Sequence, residues 1–190
     1  MWLLYQLLLL VLFLLYRSSE SLKASNREFR RLFQLSSDLA ETTEPTVLGQ
    51  LVARHLAEAA GFDDCVIYAL EPETARLAPF GSYPVERALE TGIQSLATRP
   101  VLGHVVHERA HMVIDVVDEP GDRAEQARLR TLGREVMVLV PLVAMSAPVG
   151  VAELTARRGR PVDERRLALA RTLAFEAAMA IENGRLYREL

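Results

Sequence analysis

"EVMVLVPLVAMSAPVGVAEL" spans Glu135 to Leu154. Both arms are crowded with Val and Leu, and neither is long enough to be a helix in its own right. Such residues suit a pleated, buried surface, and "MSAP" between the arms is turn material. The stretch predicts a β-hairpin, so the remaining elements must be arranged around a sheet. Upstream, "DDCVIYALEP" is a second β-branched and aromatic run, closed by Glu71 and Pro72. "ARLAPFGSYP" reads as its hairpin partner across "EPET", and "HMVIDVV" from His111 as a further strand.

Helical signals fill the spaces between. Pro45 opens a helix, where its missing N–H is harmless in the first turn. Val47, Leu48, Leu51, Val52, Leu56 and Ala59 give that helix an apolar face, and Gly61 ends it. Pro84 to Thr98 reads as one or two short helices, Val101 to Arg109 as another, and "DEPGDRAEQARLRTLG" as a loop and helix. Asp163 caps a last helix running from Glu164 to the C-terminus. Along it, Leu167, Ala170, Ala174, Ala177 and Ile181 form a seam of coiled-coil spacing, which Gly184 interrupts before Leu186 and Leu190. The expected fold is α+β, a central antiparallel sheet with helices on its faces.

The first residues are of another kind. "MWLLYQLLLLVLFLLY" holds no charge and one polar interruption, Gln6. As a helix it would measure roughly 24 Å at about 1.5 Å per residue, so a few flanking residues bring it near the ~30 Å hydrocarbon core. Trp2, Tyr5 and Tyr16 sit where aromatic rings favour the interface. A cleaved signal peptide is the competing reading, but no basic segment precedes the run and "YRSSES" offers no small-x-small cleavage site. Arg17, Lys23, Arg27, Arg30 and Arg31 all follow it, which places the remainder on the cytoplasmic side of an inner or plasma membrane. Residues 1–17 are thus read as a transmembrane anchor. Residues 18–42, with Leu22, Phe29, Leu32, Ser36 and Leu39 at heptad-like steps, are read as a signalling or coiled-coil helix, and 43–190 as the folded domain.

Composition narrows the function. The chain has 190 residues and a formal charge of −3, which gives no electrostatic reason to bind nucleic acid. Its one cysteine, Cys65, forbids an intramolecular disulfide and any CxxC zinc module. No P-loop, dinucleotide-binding glycine fingerprint or GxSxG elbow occurs.

Three stretches together resemble the GAF domain family over roughly residues 29–190. "RPVLGHVVHERAHMVIDVV" looks like the family's helix-to-strand segment. "EVMVLVPLVAMSAPVGVAEL" is similar to its central hairpin, and "VDERRLALARTLAFEAAMAIENGRLYREL" to its closing helix. The resemblance implies a non-catalytic sensory or regulatory domain, with a cavity on one sheet face for a cyclic nucleotide, haem, tetrapyrrole or metabolite. It also implies a homodimer through flanking helices and a downstream output domain or protein. Some relatives hold no ligand and serve dimerisation, and this stands as the alternative. No NKFDE-type signature is present, and one cysteine is too few for relatives that reduce free methionine sulfoxide. The cofactor, if any, is not named by the sequence.

The candidate pocket residues are Tyr68, Phe80, His104, His107, Asp115 and Arg134. On a helix, His104 and His107 lie away from the arc of Val101, Leu102, Val105 and Val106, facing solvent or a polar cavity. With His111 they have the spacing of a metal set, but structural zinc wants four well-placed donors and only Glu108 is near. Asp115 at a strand end and Arg134 before "EVMVLV" would orient a polar ligand, or else pair at the surface. Cys65 reads as a small core residue.

Overall fold

The computed structural model describes residues 45–86, 92–116, 123–157 and 162–189. The anchor of residues 1–17 and the helix of 18–42 lie outside the described residues. Among those described, no helix is long and apolar enough to cross a membrane.

The chain runs α1 (Pro45–Ala60), β1 (Asp64–Glu71), β2 (Arg76–Tyr83), β3 (Gln94–Ser95), α2 (Pro100–Glu108), β4 (Met112–Asp115), α3 (Arg123–Thr131), β5 (Val136–Ala144), β6 (Ala147–Ala156) and α4 (Glu164–Glu189). The strands form one six-stranded sheet in the order β3-β2-β1-β6-β5-β4. Every pairing is antiparallel. The hairpin that decided the reading is β5–β6, turning through Met145 and Ser146, both with positive φ. Hairpins β1–β2 and β5–β6 meet where β1 pairs with β6, so the two halves of the chain share the sheet centre.

Helices α1 and α4 cover one face of this sheet, and α2 and α3 the other. Cys65, Ile67, Val138, Ala152 and Leu154 are buried on the first face, while Val66, Tyr68, Met137, Leu139 and Val151 are buried on the second. Burial on both sides is why β5 reads as an unbroken apolar run, and β6 as one interrupted only by Glu153 and Thr155, rather than as alternating strands.

Helix α1 is turned relative to its expected apolar face, and Ala59 is exposed. Val47 is exposed, and the buried stripe is Val52, Ala53, Leu56, Ala57 and Ala60. The rotation follows from a close backbone approach: a Cβ at Gly49 would fall 2.1 Å from the Phe80 carbonyl oxygen, and one at Gly81 2.0 Å from the Gly49 carbonyl carbon. Only glycine at both positions lets helix and strand touch. Gly61, at φ +74°, ends α1. There Phe62 N–H donates to the Ala57 carbonyl at 2.8 Å and Gly61 N–H to that of Glu58 at 3.2 Å. Arg166 of α4 stacks over the Phe62 ring at 4.6 Å and donates to the Ala60 carbonyl at 3.0 Å, tying the two helices together.

Three expectations are corrected. The segment expected to hold only short helices, 84–98, contains the edge strand β3 against β2. Helix α4 does not break at Gly184 but continues to Glu189. Its seam of Leu167, Ala170, Ala174, Ala177 and Ile181 is buried within this one chain, and α4 contacts α1 and β5. Asp163 does cap α4, its carboxylate accepting the Arg166 N–H at 2.8 Å.

Candidate functional site

The second face of the sheet, under α2 and α3, holds an unusual set for a domain core: three buried charged side chains, the half-buried Arg128 and a phenol. Glu153 interrupts the apolar run of β6 and points to the same face as Tyr68, because β1 and β6 pair Val66 with Glu153 and Tyr68 with Val151. Arg99, just ahead of Pro100 at the start of α2, reaches over it. Glu125 and Arg128 descend from α3.

Arg99 spends its whole donor set. Its Nε donates to Glu125 Oε1 at 2.9 Å and Nη2 to Glu125 Oε2, a two-pronged pairing. Nη1 and Nη2 each donate to Glu153 Oε2 at 3.3 Å, and Nη1 also to Gln94 Oε1 at 3.5 Å. Glu153 Oε1 accepts from Arg128 Nε at 3.1 Å, and its Oε2 from the Tyr68 hydroxyl at 3.4 Å. Two arginines face two glutamates, so the cluster is neutral as a whole. Glu125 is 1% exposed and Tyr68 0%.

The electrostatics follow from burial. Desolvation, reinforced by Glu153, pushes the Tyr68 phenol well above its ordinary range, so it stays a hydrogen-bond donor. Burial of Arg99 works against its charge, but the hydrogen bonds to Glu125 and the charges of Glu153 and Glu125 outweigh it. Cys65, on the opposite face, is also pushed up, first by burial and then by Glu153 and Asp64. It is a free, buried thiol.

A second buried pair closes the same face near the sheet end. Arg134 Nε and Nη2 both donate to Asp64, the latter at 3.0 Å to Oδ1, while the Thr155 hydroxyl donates to Asp64 Oδ2 at 2.9 Å. The Asp64 hydrogen bond, opposed by burial, raises the Arg134 pKa.

Of the residues expected to line a pocket, the structure brings Tyr68 into the charged cluster. Arg134 is engaged with Asp64 rather than Asp115. Phe80 is the extra residue of a β-bulge, between the pairings Tyr68–Pro79 and Ile67–Gly81, and is half-buried. Asp115 ends β4 opposite Val136, and its backbone carbonyl accepts from Gln126 of α3 at 3.3 Å. His104 is exposed and His107 has an 86% exposed side chain, so neither reaches the cluster. His111 sits instead beside a groove of about 410 Å³ between β5 and α4, with Arg109, Pro141, Arg171 and Phe175. Among the described residues no His, Cys, Asp or Glu side chains gather into a metal-ligand set. Sequence reasoning missed Arg99, Glu125, Arg128 and Glu153; a glutamate inside "VGVAELTA" was the one available signal.

An antiparallel six-stranded sheet clasped between a helix pair and a cover of short helices defines an α+β layered class of fold, and sequence comparison identifies the family. A family model described as GAF domain matches residues 42–182, and the chain belongs to the GAF domain family. GAF domains are generally sensory, non-catalytic modules of signalling proteins. Among solved structures, residues 122 to 287 of a methyl-accepting chemotaxis protein are similar at 19% identity and TM-score 0.65, covering 82% of this chain and 99% of that one. The phycoerythrobilin-bound GAF domain of a cyanobacterial phytochrome matches at 16% identity and TM-score 0.64, covering 83% and 95%. The second GAF domain of DevS from Mycobacterium smegmatis matches at 20% identity and TM-score 0.58, covering 77% and 99%. A search of the curated proteins gives no match.

Proposed function

We propose that this chain is a non-catalytic sensory module that takes a small ligand on the α2/α3 face of its sheet. Residues 1–17 anchor it in the inner or plasma membrane with the GAF domain in the cytoplasm. Its helices pass the signal, through a homodimer, to an output domain or protein. The observation that carries the ligand reading is the buried Arg99–Glu125–Glu153–Arg128 cluster. A buried ion network adds little stability over well-packed apolar residues of the same volume, so its presence on this face favours recognition over packing.

A second reading has its own support. Tyr68, Leu77, Leu102, Met137 and Leu139 are fully buried on that face, which favours a ligand-free module serving dimerisation. Native mass spectrometry and an absorption spectrum of the full chain, purified in detergent from its own host, separate the two. An added mass or a chromophore band, lost in Arg99→Met, supports the sensory reading. A bare dimer under all growth conditions refutes it and leaves the structural one. Carbonate washing of membranes tests the anchor, and release of the chain into the wash refutes it.

A further inference from the structure

Helix α3 is held down by charge rather than by grease. Its inward residues are Glu125, Gln126, Arg128 and Leu129, and only Leu129 is a large apolar anchor. Glu125 ties it to Arg99, and Arg128 ties it to Glu153. Beyond its C-terminal end, Gly133 adopts φ +62° and Arg134 is fixed to Asp64, which holds that end of the helix in place.

The two glutamates of the cluster are not equivalent. Glu153 belongs to β6, paired on both sides in the sheet centre, and cannot leave without breaking the sheet. Glu125 sits in the first turn of a nine-residue helix, and it presents both carboxylate oxygens to one guanidinium edge. Its departure would leave Arg99 and Arg128 facing Glu153 alone, one negative charge short. A buried site in that state selects a replacement of charge −1 with two coplanar oxygens. A neutral molecule leaves Arg99 underpaired, and a dianion leaves an excess negative charge.

We propose that Glu125 is an internal stand-in for the ligand, and that the module is switched by a small monocarboxylate that takes its seat on Arg99 and frees the first turn of α3, while Arg128 keeps its place on Glu153. This rests on the sensory reading and names its ligand class. The exchange conserves the buried charge, while Glu125 regains water. Leu129 stays in the apolar core of this face with Leu77, Leu102 and Met137, which suits a carboxylate carrying a short apolar chain.

The test uses the full chain in detergent with sodium propionate as probe and sodium chloride at equal ionic strength as control. In Glu125→Ala, propionate is expected to raise the melting temperature saturably, and chloride not. In the natural chain, propionate is expected to speed amide hydrogen exchange over residues 123–131, with half-saturation at least tenfold higher than in Glu125→Ala, because the tethered carboxylate competes. Should Glu125→Ala fail to fold, Glu125→Gln replaces it, with the same tenfold gain and faster basal exchange in α3. Arg99→Met is expected to abolish every response. Equal responses to propionate and chloride, or a propionate response that survives Arg99→Met, overturn the proposal. A host-derived ligand without a carboxylate, bound equally by natural chain and Arg99→Met, overturns it while leaving the sensory reading intact.

Discussion

Replacing Glu153 by glutamine tests whether the charged cluster is as buried as described. The substitution keeps the shape and leaves a carbonyl to accept the Tyr68 hydroxyl, but removes one of two negative charges facing two guanidiniums. Taking one partner from a buried ion pair costs about 3–5 kcal/mol, because the other charge is left stranded. Two features place the effect at the lower end. Glu125 still holds Arg99, and the Arg128 side chain is 22% exposed, so water recovers part of its loss. The expected cost is therefore about 3 kcal/mol, a large share of the roughly 5–15 kcal/mol of a whole domain. At roughly 2–4 °C per kcal/mol for a chain of this length, the melting temperature should fall by about 6–12 °C. Circular dichroism melts and urea titration of the full chain in detergent measure both. The deficit should persist at high salt, since buried charges are scarcely screened. Paired replacement, Arg128→Met with Glu153→Leu, should recover much of it. A Glu153→Gln loss below about 1 kcal/mol, the range of exposed pairs, would refute the reasoning.

Two further outcomes follow from other parts of the fold. An alanine at a helical glycine ordinarily gains roughly 0.5–1 kcal/mol, yet Gly49→Ala should lose about 1–3 kcal/mol, as should Gly81→Ala, because α1 and β2 would be forced apart; a stabilised Gly49→Ala in urea titration sinks the close-approach account. At alkaline pH the unfolded chain sheds its Cys65 and Tyr68 protons near their ordinary values of 9.0 and 10.0, while the folded chain keeps them. The folded state then binds more protons, so stability falls as pH rises through that range. Melts of Cys65→Ala combined with Tyr68→Phe should show a flatter alkaline decline, and an unchanged slope refutes the assignment.

Much of the scaffold was legible because local physics wrote it. The arms of β5 and β6, Pro45 at the start of α1, Gly61 at its end and Asp163 ahead of α4 each announce themselves by residue type and spacing. What spacing could not supply was partners. Arg99 and Glu125 are 26 residues apart, and Arg99 and Glu153 54 apart. Nothing local marks them as neighbours. The histidines show how far local spacing reaches: it put His104 and His107 on the outward side of α2, but not His111 beside the groove between β5 and α4.

Sequence by itself determined the type and order of every element but β3, since periodicity and capping act over a few residues, and the resemblance of three stretches pointed to the family. The sheet order, which sets β6 between β1 and β5, was decided only by tertiary structure. So were the turning inward of the α4 seam and the meeting of four charges beneath α3. Each depends on contacts between residues remote in the chain, where the free energy of burial and ion pairing is settled by the packed whole rather than by any one segment.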